Sequence, residues 1–153
     1  MTAARCSGAE ALAEARRWLG TPYCHQASCR GAGTDCLGLL RGVWRALYGA
    51  EPEAPPPYTP DWGEAGDAEP LLGAARRWLR PVAPREASPG DVLLFRMRCA
   101  GPVKHCALLS SPRLAPGRII HAYSGHGVVE THLTPAWAAR LAGVFRLPPI
   151  TED

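Results

Sequence analysis

The sequence predicts an α+β fold, with N-terminal helices packed on a mainly antiparallel sheet of about five short strands. Apolar residues recur at helical spacing in two N-terminal segments, and short apolar runs bounded by turn residues fill the C-terminal half. A proline-rich excursion at about 51–70 separates the two regimes. A length of 153 residues with 46% hydrophobic content suits one domain, 1–153, large enough to bury a core.

Ser7 and Glu10 have capping-box spacing, and Leu12, Ala15, Trp18 and Leu19 follow at helical intervals, so a first helix is expected from about Ala9 to Leu19. Gly20 and Pro22 end it. Residues 23–34 carry glycine, serine and cysteine without a period and read as a loop. From Asp35 the pattern turns helical again: Leu39, Leu40, Val43, Trp44, Leu47 and Tyr48 form one buried face, and Gly49 closes the helix. Cys36 therefore falls in its first turn. Leu71 to Leu79 suits a short helix halted by Pro81. Strands are expected at 92–95, 105–109, 118–122, 127–133 and 144–147, with a short helix from Thr134-Pro135 to Leu141 between the last two.

Composition narrows the function. The net charge is +3, and the arginines are scattered rather than gathered into a stripe that would follow a phosphate backbone, so no direct nucleic-acid partner is expected. No apolar run reaches the ~18–20 residues of a membrane span. Residues 1–20 lack an apolar segment of signal-peptide length, which leads to the expectation of synthesis in the cytoplasm and delivery by something else. Six cysteines are present: Cys6, Cys24, Cys29, Cys36, Cys99 and Cys106. Cys24, Cys29 and Cys36 with His25 lack any Cys-x-x-Cys pair, so no metal and no cofactor are expected. Cys6, Cys99 and Cys106 read as small apolar core residues.

Cys36 differs from the other five. In the first turn of a helix it faces the positive end of the macrodipole and unpaired N–H groups, which favour thiolate and can hold a developing oxyanion. Gly38 is expected to leave room for substrate, and Asp35 to act as a helix cap or substrate contact. A thiolate needs a base, usually histidine. His105 opens one apolar strand and His121 closes the next. Antiparallel pairing would place them side by side, with His121 orienting the ring of His105. His25 lies near Cys36 in sequence and is a candidate cleft residue. His126 and His132 read as surface or loop positions.

Five pieces occur in order: Trp18-Leu19-Gly20-Thr21-Pro22-Tyr23, Asp35-Cys36-Leu37-Gly38-Leu39, Pro89-Gly90-Asp91-Val92, His105-Cys106-Ala107-Leu108-Leu109 and Ile119-Ile120-His121-Ala122. Together they resemble the NlpC family of papain-like cell-wall cysteine peptidases, over about Trp18 to Ala122. The resemblance implies a papain-like fold, Cys36 as nucleophile, His105 as general base, His121 as third polar residue, and Tyr23 as a tyrosine near the nucleophile. It implies hydrolysis of a peptidoglycan stem-peptide bond such as D-γ-glutamyl to meso-diaminopimelate. Many members have serine where this chain has Leu37. The runs His25-Gln26-Ala27-Ser28 and Asp35 to Trp44 look like the subgroup carried with phage tails and gene transfer agents, where leucine is usual. That subgroup implies tail-tip or hub proteins as partners and action in the periplasm or wall of a target cell during DNA delivery. Three other readings stay open on sequence: a catalytically silent tail component, an antibacterial amidase effector of a contractile injection system, and acyl transfer to an amine or lipid, as related papain-like folds carry out.

Overall fold

A computed structural model describes residues 4–55, 69–98 and 100–151. Most of the proline-rich excursion, with Trp62, and Cys99 lie outside the described residues.

The chain begins with a two-residue strand, β1 (Ala4–Arg5), and then α1 (Gly8–Arg17). The expected capping box does not form. Ser7 sits at the N-cap, but its hydroxyl donates to the Leu147 carbonyl (3.0 Å), and Glu10 turns to Arg5 (2.6 Å). Tertiary partners outbid the local ones, because Ser7 is buried against the far end of the chain. The loop after α1 contains a small hairpin that the sequence pattern did not show, β2 (Ser28–Cys29) with β3 (Gly33–Thr34). Next comes α2 (Cys36–Tyr48), closed by Gly49 in the left-handed region at φ 88°. The last helix of this half is α3 (Pro70–Trp78), with proline in its first turn as helix starts favour.

The rest of the chain builds a six-stranded, wholly antiparallel sheet from β4 (Arg80–Val82), β5 (Val92–Arg96), β6 (Val103–Leu109), β7 (Gly117–Tyr123), β8 (Gly127–Leu133) and β9 (Leu141–Arg146), in the order β4-β9-β5-β6-β7-β8. Six strands replace the expected five. The addition is β4, whose Pro81 suits an edge position where a missing N–H breaks no ladder. A short α4 (Pro135–Ala138) ends before Leu141, which starts β9 instead. Finally β10 (Ile150–Thr151) pairs with β1 and ties the two ends together.

The central strands are buried on both faces, which explains their continuous apolar runs. On β5, Val92 and Leu94 enter a core shared with Leu12, Trp18, Leu39, Val43, Leu71 and Leu72 of the helices. Leu93 and Phe95 point the other way, to a second core with Ala107, Leu109, Ile119 and Val144. Close approach of α1 to α2 depends on Gly42: a Cβ there would stand 2.0 Å from the Trp18 ring.

One buried ion pair fastens the sheet. Asp91, 1% exposed, accepts from Arg146 Nε and Nη2, both at 2.9 Å, and from the Ser88 N–H at 2.8 Å. This joins the turn before β5 to β9. Arg146, about a quarter exposed, also donates to the Glu86 carbonyl and to Ser88 Oγ, so removing Asp91 costs chiefly its own charge-assisted bonds. We expect Asp91→Ala to lower unfolding free energy by about 2 kcal/mol in urea titration; a loss below about 0.5 kcal/mol would show that the pair is dispensable.

Candidate active site

Cys36 is the first residue of α2, and the local sequence dictates why the helix starts there. Asp35 is extended at φ −104°, ψ −173°, and its Oδ1 accepts the Gly38 N–H at 2.7 Å. That is an N-cap. The second oxygen, Oδ2, accepts the Gln26 N–H at 2.8 Å and lies 3.9 Å from His25 Nδ1. Gln26 has a left-handed backbone, φ 66°, a costly conformation for a side chain of this size. One buried carboxylate thus holds both the helix start and the preceding loop. Gly38 serves this closure rather than substrate access. A Cβ there would fall 1.9 Å from the Ala27 carbonyl oxygen and 2.5 Å from Thr34 Oγ1, so the expectation that it opens the cleft is corrected. Helix geometry leaves the Cys36 and Leu37 N–H groups without acceptors inside the helix. Leu37 itself packs against the first core and lines a cavity of about 480 Å³ between α2 and α3.

The histidines reach this turn from the sheet. The β6–β7 ladder pairs Leu108 with Ile120 and Leu109 with Ile119. This register carries His121 and His105 to the same end of the sheet, where His105 Nε2 and His121 Nδ1 are 2.8 Å apart. Both are buried. A bulge shapes the approach: the β5–β6 pairing shifts between Phe95 and Arg96, so that His105 faces Phe95 and Val103 faces Arg96. Lys104 is the extra residue, and its carbonyl lies 3.9 Å from Cys36 Sγ. Bulges of this kind re-aim side chains beside sites.

The electrostatics favour a thiolate at Cys36. A hydrogen bond from Cys106 and the charge and hydrogen bonding of His105 hold the Cys36 thiol well below its ordinary range, against burial and the nearby Asp35 charge. His121 is pushed down to about 3 by burial first, and then by the neighbouring His105 and His126 imidazoles. It is therefore neutral at working pH. When His105 is an imidazolium, both its nitrogens donate, so Nδ1 of His121 must offer its lone pair. Burial and then the Cys36 charge raise the Tyr23 phenol, which keeps its proton. Tyr23 is exposed at 37% and forms a β-bridge with Thr34, beside the capped turn.

Two participants were not singled out as site residues from sequence. Trp137 of α4 stacks on His105 with ring centroids 5.0 Å apart and packs edge-on against His121 at 5.4 Å. The Thr134 cap that positions it was legible, since Thr134 Oγ1 accepts the Trp137 N–H at 3.3 Å. Its direction was not. Cys106 is buried as expected, but it meets Cys36 rather than core alone. Cys6, expected in the core, is exposed. His126 and His132 are exposed, as expected, although His126 stacks on Tyr123 at 5.2 Å. Among the described residues, no group of three or more His, Cys, Asp or Glu side chains is arranged to hold a metal ion.

The fold recurs in solved structures. An NlpC/P60 family protein from Bacillus cereus superposes with a TM-score of 0.67 at 22% identity, over 93% of this chain and 40% of that one. A protein described as similar to lipoprotein, NLP/P60 family, from Staphylococcus aureus gives 0.62 at 20%, over 93% and 41%. The NlpC/p60 domain of the peptidoglycan hydrolase SagA gives 0.62 at 24%, over 92% and 98%. The fold is that of NlpC/P60 proteins. This chain spans about two-fifths of the first two and nearly all of the SagA domain. No protein-family model matches the sequence, and no curated protein matches it.

The neutral state of His121 has a measurable consequence. The unfolded chain takes up a proton at the ordinary imidazole value of 6.5, while the folded chain resists until about 3. Stability from this residue is thus complete above the unfolded value and drains away as pH falls towards the folded one. Between about pH 7.5 and pH 5, the wild type should lose about 1–2 kcal/mol of unfolding free energy that His121→Gln does not lose. Equal losses in both proteins would contradict the assignment.

Proposed function

We propose that this chain is a cysteine hydrolase that cleaves a stem-peptide amide bond of peptidoglycan. The observation that carries the reading is the buried His105–His121 pair, 2.8 Å between ring nitrogens, set against a thiol held towards thiolate at the start of α2. Packing alone gives no reason for two buried imidazoles and a low-pKa thiol to converge. The SagA protein, whose domain this chain matches end to end in fold, is named a peptidoglycan hydrolase, which supports the substrate class.

In this mechanism the thiolate of Cys36 attacks the scissile carbonyl carbon. The oxyanion forms beside the N–H groups of Cys36 and Leu37, at the positive end of α2. His105, holding the thiol proton, gives it to the leaving amine as the C–N bond breaks. Water, deprotonated by His105, then attacks the thioester. Its proton returns through His105 to the departing sulfur, and the free carboxyl product leaves. His121 fixes the ring of His105, and Trp137 covers it from bulk water. The Tyr23 phenol keeps its proton and is available as a donor near the nucleophile. His25, beside the Asp35 carboxylate, supports the loop and can contact substrate.

The finer reading is cleavage between D-γ-glutamate and meso-diaminopimelate, by an enzyme carried on a phage-like tail to open the wall during DNA delivery. Its support is the resemblance of the runs around His25 and Cys36, including Leu37, to the tail-borne subgroup.

Purified peptidoglycan digested with wild-type protein should release defined stem-peptide fragments, identified by mass spectrometry. Cys36→Ala should lower release by about 10³-fold or more, as loss of a nucleophile does in such constellations. Activity should be unchanged by EDTA, since no step uses a metal. Wild-type inactivity with tail partners supplied, or abolition by EDTA, would overturn the reading. A fragment ending elsewhere than D-glutamate would correct the bond.

A further inference from the structure

We propose that Trp137 is a positioning residue for His105: the face of its indole stands where water would otherwise lie over the imidazole, and it holds the positive charge of that ring beside the Cys36 thiolate. The proposal rests on the reading of Cys36 and His105 as a nucleophile and its base.

The contact is built from local and distant constraints together. Thr134 caps α4, its Oγ1 accepting the Trp137 N–H at 3.3 Å, and Pro135 opens the helix. That fixes the turn from which the indole reaches back over the sheet. The indole stacks on His105 with ring centroids 5.0 Å apart and planes 27° from parallel. Its other neighbours stand steeply to it: Phe95 of β5 at 5.2 Å and 69°, His121 of β7 at 5.4 Å and 84°, and Tyr123 of β7 at 5.8 Å and 80°. Three steep rings confine the indole, and His105 is the ring among these four that it lies nearly flat against.

A flat contact of this kind has two effects of opposite sign. It excludes water from His105, which is 7% exposed, and desolvation disfavours an imidazolium. It also lays the negative face of an aromatic ring over that imidazolium, within the ~6 Å reach of a cation–π contact. An aliphatic cover would exert the first effect alone. The remaining groups around His105 divide by charge. Cys36, from α2, brings the thiolate, with the Asp35 carboxylate behind it. His121, from β7, is neutral. Phe95, from β5, carries no polar atom, and the Tyr123 ring stands 6.5 Å away. Lys104, the preceding residue on β6, is cationic and opposes a second positive charge, as does His126 when protonated, stacked on Tyr123 at the β7–β8 turn. The indole thus compensates for the water it displaces, on the side of His105 turned away from the helices.

The test reads the charge on His105 through Cys36 and needs no wall substrate. The full chain, reduced beforehand, is alkylated with iodoacetamide across a pH series, and modification at Cys36 is followed by peptide mass spectrometry. The wild-type rate should rise twice: first as Cys36 ionises beside the imidazolium, and again at higher pH as the imidazolium loses its proton and leaves the thiolate unpaired. His105 changes charge only in the second rise. Trp137→Leu keeps an apolar cover without a π face. It should lower the second midpoint by about one pH unit, the size of one desolvated cation–π contact, and leave the first in place. Trp137→Phe, which keeps a smaller π face, should recover about half of that shift. Wild-type midpoints in Trp137→Leu would mean that Trp137 is a cover alone, and would overturn the proposal. Two midpoints that move together, or a phenylalanine variant no closer to wild type than leucine, would mean packing alone and overturn it as well. If Trp137→Leu does not unfold cooperatively, the phenylalanine variant decides: its second midpoint should lie below the wild-type one with the first unchanged, and an unshifted second midpoint overturns the proposal. A single wild-type rise at the midpoint of an ordinary thiol refutes the nucleophile–base reading itself. A two-step wild-type profile that Trp137→Leu leaves unshifted removes only the role of Trp137.

Discussion

The Asp35 carboxylate is the constraint on which the candidate site depends. Three per cent exposed, it accepts from Gly38 in the first turn of α2 and from Gln26 in the loop before it. Without that cap the first turn of α2 would lose its acceptor, and the loop contact helps to hold Gln26 in its left-handed backbone. The placement has an electrostatic cost. A buried anion one residue from Cys36 disfavours a second anion there. The rest of the site reads as compensation: the helix N-terminus and His105 both act in the opposite sense. A cap made of serine or asparagine would remove the opposition, but a carboxylate accepts from two N–H groups in different segments at charge-assisted strength.

The second structural theme is the use of both sheet faces. One face carries α1, α2 and α3; the other buries Phe95, Ala107, Leu109 and Ile119 beneath α4. His105 belongs to that second face, yet its charge and hydrogen bonding reach a cysteine borne by a helix from the first. The bulge at Lys104 and the position of His105 near the end of β6 make this crossing feasible, since a residue deep within the sheet would be screened from the opposite side. Trp137 then closes over the imidazoles. Burial keeps His121 neutral, so its 2.8 Å contact with His105 adds no second charge to the buried pair.

The fold similarity to NlpC/P60 proteins holds at 20–24% identity. Asp91, in the turn before β5, acts with Arg146 as a fastener between β5 and β9. The alternation of β6 also explains why the residue after His105 matters: it is forced to face α2, whatever its identity.

Local periodicity and punctuation made most of this fold legible. The helices at 36–48 and 70–78 and the strands β5 to β8 fall close to where spacing and turn residues put them, because each has a clear apolar period between breakers. The neighbourhood of His105 and His121 was legible for the same reason: antiparallel pairing brings the start of one strand to the end of the next. Elements without such local signals were not. The hairpin β2–β3 and edge strand β4 are too short or too rich in glycine and proline to show a period, and Ser7 left its capping box because a distant carbonyl offered a buried partner. The sequence by itself determined that a cysteine would start a helix and that two histidines would share a sheet edge, since both follow from backbone geometry within a few residues. Only the tertiary structure decided that Cys106 meets Cys36, that Trp137 covers His105, and that Gly38 serves loop closure, because each is a contact between elements whose relative placement depends on packing of the whole core.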